Sequence, residues 1–191
     1  MFLSDSDIKR EVENKSIVIS DFEEDRLQPV SYDILLGNKF EIVKSHKISA
    51  VDPARGILPE TYQEEVLDGE AFVLHPGKTV LGTSKDYFGS DKYLIHLSGK
   101  SSLARLGLVV HNTAGIVNPG HFLNITFELF NAGKVPIILR PGMQIAQITF
   151  SQISSEMNRD YRQTGKYNGD NWSKNFSPNN VRNQNIQNIN I

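Results

Sequence analysis

Apolar positions along this chain come in short runs, several alternating with polar residues, and Gly, Pro or Asn interrupts each run before a long helix could form. The start is the exception. Ser4-Asp5-Ser6-Asp7 offers N-caps ahead of Ile8 and Val12, and Lys9, Arg10 and Lys15 follow, which predicts a short capped helix from about Ser4 to Lys15. Ser16 to Ile19 then reads as a strand and the acidic run Asp21 to Asp25 as a solvated loop. Val30 to Leu36 and Lys39 to Val43 flank Gly37-Asn38, a pattern that predicts a hairpin. Asp33, inside the first of these runs, is assigned to an exposed face or a local salt bridge. Between Ala50 and Leu67, Pro53, Gly56 and Pro59 break any period, so this stretch reads as a loop with one partial turn. Strand patterns resume at Ala71 to Leu74, turn through His75-Pro76-Gly77, continue at Thr79 to Thr83, break at Phe88-Gly89-Ser90 and return at Tyr93 to Leu97. His96 on that last run is expected to be a packed imidazole. Short strands at this spacing, with almost no helix, predict a mainly β protein: a sandwich, jelly roll or distorted barrel.

The candidate chemistry lies between Lys100 and Phe150. Glu128 stands in the middle of the apolar run ITFELF, and a buried carboxylate must be paired, hydrogen-bonded or protonated. Two readings stay open: a partner for a structural cation such as Arg105 or Arg140, or a proton-transfer group in a pocket. Strand alternation puts Thr126, Glu128 and Phe130 on one face, opposite Ile125, Phe127 and Leu129. Upstream, Lys100-Ser101-Ser102-Leu103-Ala104-Arg105-Leu106-Gly107 reads as the start of a short helix, where two hydroxyls, backbone N–H groups and two cations suit an anion, or where the serines are plain caps. Asn118-Pro119-Gly120 is a turn; Asn118 is a turn former or offers its amide to a sugar hydroxyl, and His121 is assigned to the rim or surface. Asn131 to Lys134 turns into a strand from Val135 to Leu139, and Arg140 to Met143 turns into another from Gln144 to Phe150. Tyr161 to Gly169 combines aromatics, glycines and cations, as an exposed loop or as a flap that brings Lys166 to phosphates. Ser177 to Ile191 is rich in Asn with no packing pattern and is expected to be mobile alone.

Composition narrows the choice of chemistry. A chain of 191 residues suits one domain, here residues 1–150, with 151–191 as a segment that closes over the site. The net charge of -2 provides no overall field for nucleic acid or an anionic membrane, so an anionic ligand must be met by a local cluster. There are no cysteines, which removes disulfides, thiolate zinc sites and a cysteine nucleophile. The five histidines (His46, His75, His96, His111 and His121) show no metal-binding spacing, which argues against zinc and leaves only a metal carried by a phosphate substrate. The opening MFLSDSDIKREVE has no signal-peptide pattern and no apolar run approaches membrane length, so a cytoplasmic protein is expected.

Taken together, KSSLARLGL, VHNTAGIVNPG and FELFNAGKVPIILRPGMQIAQITF, preceded by LSDSDIKREVE and VSYDILLGNKFEIV, resemble the dCTP deaminase family of the trimeric dUTPase superfamily. The resemblance covers roughly Met1 to Tyr167. It implies a homotrimer of distorted β-barrel or jelly-roll subunits, active sites at subunit interfaces, and a C-terminal segment that folds over the nucleotide. The implied reaction removes the 4-amino group of dCTP as ammonia to give dUTP, without zinc. By motif, Glu128 would be the general acid/base, and Ser101, Arg105 and the carbonyl of Ala114 would position the water. Lys100, Ser102 and Arg105 would lie along the phosphates, Asn118 near the deoxyribose, and Thr126, Phe127 and Glu128 along the base. Tyr161 and Lys166 would come from the closing segment, and Mg²⁺ would ride on the triphosphate. A carboxylate shielded from solvent and raised toward neutrality is the shuttle such chemistry would use.

Three places bear on which member of the family this is, two of them departures from its pattern. Asn118 replaces a usual Asp that in related dUTPases activates the water attacking the α-phosphate, and an amide cannot take that proton. Gly115-Ile116, by contrast, looks like the bifunctional members that make dUMP directly. Asp170 stands where the family has Gln, beside the expected triphosphate, where its charge would repel by roughly 1 kcal/mol or more. The sequence therefore favours a dCTP deaminase, with a bifunctional deaminase-diphosphatase (or dUTPase) and a non-catalytic nucleotide-binding regulator as alternatives.

Overall fold

The computed structural model describes residues 1–44, 49–110 and 113–165. The chain opens with helix α1 (Asp5–Glu13), fixed by a full capping box in which the Ser4 hydroxyl accepts from the Asp7 N–H and Asp7 reaches back to Ser4. Strand β1 (Ile17–Ile19) follows, then a 3-10 turn (Glu24–Arg26), β2 (Leu27–Gln28) and β3 (Ser31–Val43). The next elements are a 3-10 turn (Pro53–Arg55), β4 (Thr61–Glu65), β5 (Phe72–Leu74), β6 (Thr79–Ser90), β7 (Tyr93–Gly99) and the single-turn helix α2 (Ser101–Ala104). The chain continues through β8 (Leu108–Val110), β9 (Ile116–Val117), β10 (Leu123–Asn131), β11 (Ile137–Leu139) and β12 (Gln144–Gln152) to α3 (Tyr161–Thr164). The protein is mainly β, as the spacing of the runs predicts, and the strands form a curled half-barrel.

The main sheet runs β8-β10-β6-β3-β12-β7-β9, with β1 added to β6, and β2 and β4 added to β3; β5 and β11 pair separately. Strand β3 is its spine. The Tyr32 to Leu35 part pairs with β12, and the part from Leu36 onward pairs with β6 and β4. The concave side is filled by Ile34, Leu36, Phe40, Phe88, Ile95, Phe127, Leu129, Ile148 and Phe150, all buried. Helix α2 closes the open seam, since it links β7 to β8, and a Cβ on Gly99 would stand 3.1 Å from that of Val110.

Several local expectations change. The hairpin expected about Gly37-Asn38 is one continuous strand, and Gly37 is there for closeness: a Cβ on it would lie 2.9 Å from the Thr83 carbonyl oxygen. Gly37→Ala is expected to cost about 1–3 kcal/mol by overpacking two adjacent backbones; a urea midpoint equal to that of the parent would contradict this reading. The break expected at Phe88-Gly89-Ser90 is likewise the end of β6, paired with β1, and a Cβ on Gly89 would meet the His121 carbonyl oxygen at 2.7 Å. Strand β4 occupies part of the stretch read as loop, held by pairing to β3 rather than by its own pattern. His96 is exposed, because alternation along β7 points Ile95 and Leu97 inward. His121 is buried and not on the rim, with its ring stacked on Tyr161 at 4.1 Å. Of the two assignments for Asp33, the salt bridge holds, though to Lys100 far along the chain, and the exposed face does not, since Asp33 is buried. Among the described residues no helix is long and apolar enough to cross a membrane.

Candidate active site

Strand β10 sets the site by its pairing on both sides. Its inward residues Ile125, Phe127 and Leu129 are buried in the core, while Thr126 and Glu128 face out. Glu128 is exposed in the single chain, so the shielding expected for it is absent from its own subunit; an even position on a two-residue period cannot share the burial of its neighbours. Phe127 is fully buried, so its side chain cannot touch a ligand and only its backbone borders that face. Across the sheet, Glu41 of β3 and Glu128 both stand opposite Leu81 of β6, which puts them two strand spacings apart, about 9–10 Å.

Beside this row is a cavity of about 760 Å³ lined by Lys39, Glu41, Thr83, Lys85, Asn124 and Thr126 among others. Thr126 joins it to the Glu128 face, since the two are successive outward residues of β10. Glu41 has one buried oxygen with no hydrogen-bond partner among the described residues. Its burial raises the carboxyl above the ordinary carboxylate range, opposed by a hydrogen bond from Thr61. Nothing in the sequence pattern marks Glu41 as special; it becomes so only when β3 and β10 are seen to flank one strand.

The serine-arginine turn lies next to this face. Helix α2 packs on β8, and β8 pairs with β10 through Val110 and Leu129, so one strand separates the turn from Glu128. The exits of both elements are tied where the Ala132 N–H donates to the Gly107 carbonyl at 2.9 Å. Gly107 sits at φ 92 with the Gly133 backbone against its α-carbon, a place only glycine fills without strain. Ser101, Ser102 and Arg105 are exposed, as the anion-binding reading requires. Lys100 is not free: its ammonium lies 2.5 Å from the buried Asp33 carboxylate and 3.3 Å from the Gln144 side-chain oxygen.

The remaining expected residues lie around β9. Ala114 is exposed, and the next carbonyl, of Gly115, accepts from the Leu97 N–H at 2.7 Å. A Cβ on Gly115 would approach the Leu97 carbonyl oxygen to 2.6 Å, so a larger residue there requires this segment to stand off from β7. Asn118 is exposed at the head of the expected turn, which the His121 N–H closes by donating to its carbonyl. Tyr161 opens α3, and Arg162 reaches Asp91 at 2.9 Å, so the segment after β12 is pinned beside that turn. Lys166 and Asp170 lie outside the described residues, as do His46, His111 and the Asn-rich tail. Among the described residues no group of three or more His, Asp or Glu is placed to hold a metal ion.

Comparison with known proteins gives this geometry a family. The model of one protein family, described as dCTP deaminase-like, matches residues 2–153. The chain is 41% identical over 162 residues to the dUMP-forming dCTP deaminase of Beutenbergia cavernae, covering 84% of each chain. It is 43% identical to the protein of the same description from Tropheryma whipplei strain Twist, covering 84% of this chain and 83% of that one. It is 42% identical over 176 residues to the dCTP deaminase of Natronomonas pharaonis, covering 88% and 90%. Among solved structures, the 2'-deoxycytidine 5'-triphosphate deaminase from Agrobacterium tumefaciens superposes with a TM-score of 0.62 at 18% identity, over 86% of this chain and 53% of that longer one, a likeness of fold. A family match over most of the chain, joined to relatives above 40% identity at nearly full length, establishes that the chain belongs to the dCTP deaminase family of enzymes.

Proposed function

We propose that this protein hydrolyses dCTP to dUTP and ammonia, with Glu128 as the general acid/base. The observation that carries the reading is the placement of Glu128 and Thr126 on the outward face of β10, between a polar cavity and the strand that leads to the Ser101–Arg105 turn. Glu128 takes one proton from the water that adds to C4 of the cytosine and passes it to N3, then takes the second from the new C4 hydroxyl and passes it to the amine as the C4–N bond breaks and C4=O forms. Ser101, Arg105 and the Ala114 carbonyl hold the water, and Ser102, Arg105 and Lys100 face the triphosphate with its Mg²⁺. Asn118 meets the deoxyribose, and the segment from Tyr161 through Lys166 closes the site. A homotrimer supplies what a single chain lacks: a neighbouring subunit over the β10 face would shield Glu128 from solvent. The expected compartment is the cytoplasm.

The last product depends on Asn118. An amide accepts no proton, so the step from dUTP to dUMP has no base at that position and dUTP is released. A second reading, direct formation of dUMP, is favoured by the glycine packed against Leu97 at position 115 and by the dUMP-forming relatives. Incubation with dCTP and Mg²⁺ followed by chromatography separates them, because dUTP with ammonia supports the first and dUMP with pyrophosphate the second. If the first holds, Asn118→Asp is expected to make dUMP appear; unchanged products would remove Asn118 as the deciding residue.

A further inference from the structure

We propose that Asp33 is a positioning residue that locks the Lys100 ammonium as a fixed donor toward the triphosphate; this rests on the reading of Lys100 as a phosphate ligand. Asp33 lies near the start of β3, opposite Gln147 of β12, and is 1% exposed. One carboxylate oxygen accepts from Lys100 at 2.5 Å and from the Gln28 amide at 3.3 Å. The other oxygen is buried with no hydrogen-bond partner among the described residues. A buried carboxylate so poorly served elsewhere leans almost wholly on one cation.

That dependence decides what Lys100 can do. A lysine on an open surface swings between conformers to meet a phosphate. Here, leaving Asp33 would strand an uncompensated charge inside the sheet, so Lys100 stays where it is when ligand arrives. The ammonium has three protons: one goes to Asp33, one to Gln144, and the third is left for a ligand. Its side chain is 22% exposed, open enough to be reached. The main chain repeats the constraint, since Lys100 caps α2 and its N–H faces the Ile145 carbonyl. The aspartate and glutamine therefore aim a charge whose ordering entropy is lost during folding and not on binding.

The test is a cycle of Asp33→Asn, Lys100→Met and the double variant, read by dCTP·Mg²⁺ kinetics, by dCTP·Mg²⁺ calorimetry and by melting temperature. Asp33→Asn keeps an acceptor for Lys100 and removes the charge. It is expected to raise KM and Kd about tenfold with kcat within about threefold, the sign of lost binding rather than lost chemistry. Lys100→Met alone is expected to melt lowest of the four proteins, because it leaves Asp33 unpaired. The double variant is expected to regain melting temperature while its KM and Kd stay at the Lys100→Met values. Independent effects of the two changes on Kd, or an unchanged Kd in Asp33→Asn, would overturn the proposal. Absence of turnover in the parent would sink the deaminase reading alone, because calorimetry still reads the cycle.

Discussion

Glu128→Gln is expected to lower dCTP deamination by about 10²–10⁴-fold, the usual contribution of a positioned acid/base. The fold gives the experiment its clarity. Glu128 projects from the outer face of β10, so an isosteric amide disturbs neither Phe127 nor Leu129, which carry the packing from the other face. Melting temperature and nucleotide affinity are therefore expected to stay close to the parent values. Ammonia release and nucleotide chromatography read the chemistry, and calorimetry with dCTP·Mg²⁺ reads binding. Turnover at the parent rate would contradict the assigned shuttle. Loss of binding together with turnover would mean that the carboxylate holds the base and does not move protons.

The largest effect on stability is expected from Asp86→Ala. Asp86 and Arg26 are each 2% exposed and pair at 2.8 Å, and the second carboxylate oxygen accepts the Leu35 N–H at 2.7 Å. The guanidinium also lies over the Tyr32 ring and donates to the Asp21 carbonyl at 2.9 Å. Removing the acid leaves the buried guanidinium with only the exposed Glu23 carboxylate at 3.3 Å and takes the acceptor from the Leu35 N–H, which costs about 3–5 kcal/mol. Urea denaturation at fixed protein concentration measures it. The pair Arg26→Met with Asp86→Leu is expected to recover much of the loss, since a buried ion pair contributes little against well-packed apolar groups. A loss below about 1 kcal/mol in Asp86→Ala would show that water reaches Arg26.

Much of the site was legible because its signals are local. The N-cap at Ser4, the two-residue period of β10 and the turn at Asn118 each depend on neighbours in sequence, and the structure places all three as expected. The glycines misled for a single reason. Gly77, Gly120 and Gly142 adopt positive φ at turns, whereas Gly37 and Gly89 sit inside strands because another backbone lies too near for a Cβ. In sequence the two uses look alike, so a spine strand reads as a hairpin and a strand end as a break. The acids misled in a related way. Asp33 and Glu128 are both carboxylates in apolar runs, but Asp33 is buried on Lys100 while Glu128 faces out.

Sequence alone determined the β class, the two alternating faces of β10 though not which one is buried, and the family, because period, spacing and motif are properties of the chain read in order. Only the tertiary structure decided that β3 runs unbroken through two halves of the sheet, that Glu41 shares a row with Glu128, and that Lys100 is held by Asp33. Those facts depend on which strands become neighbours. Burial, the cost of an unpaired charge and the room for a Cβ are set by residues far away in the chain.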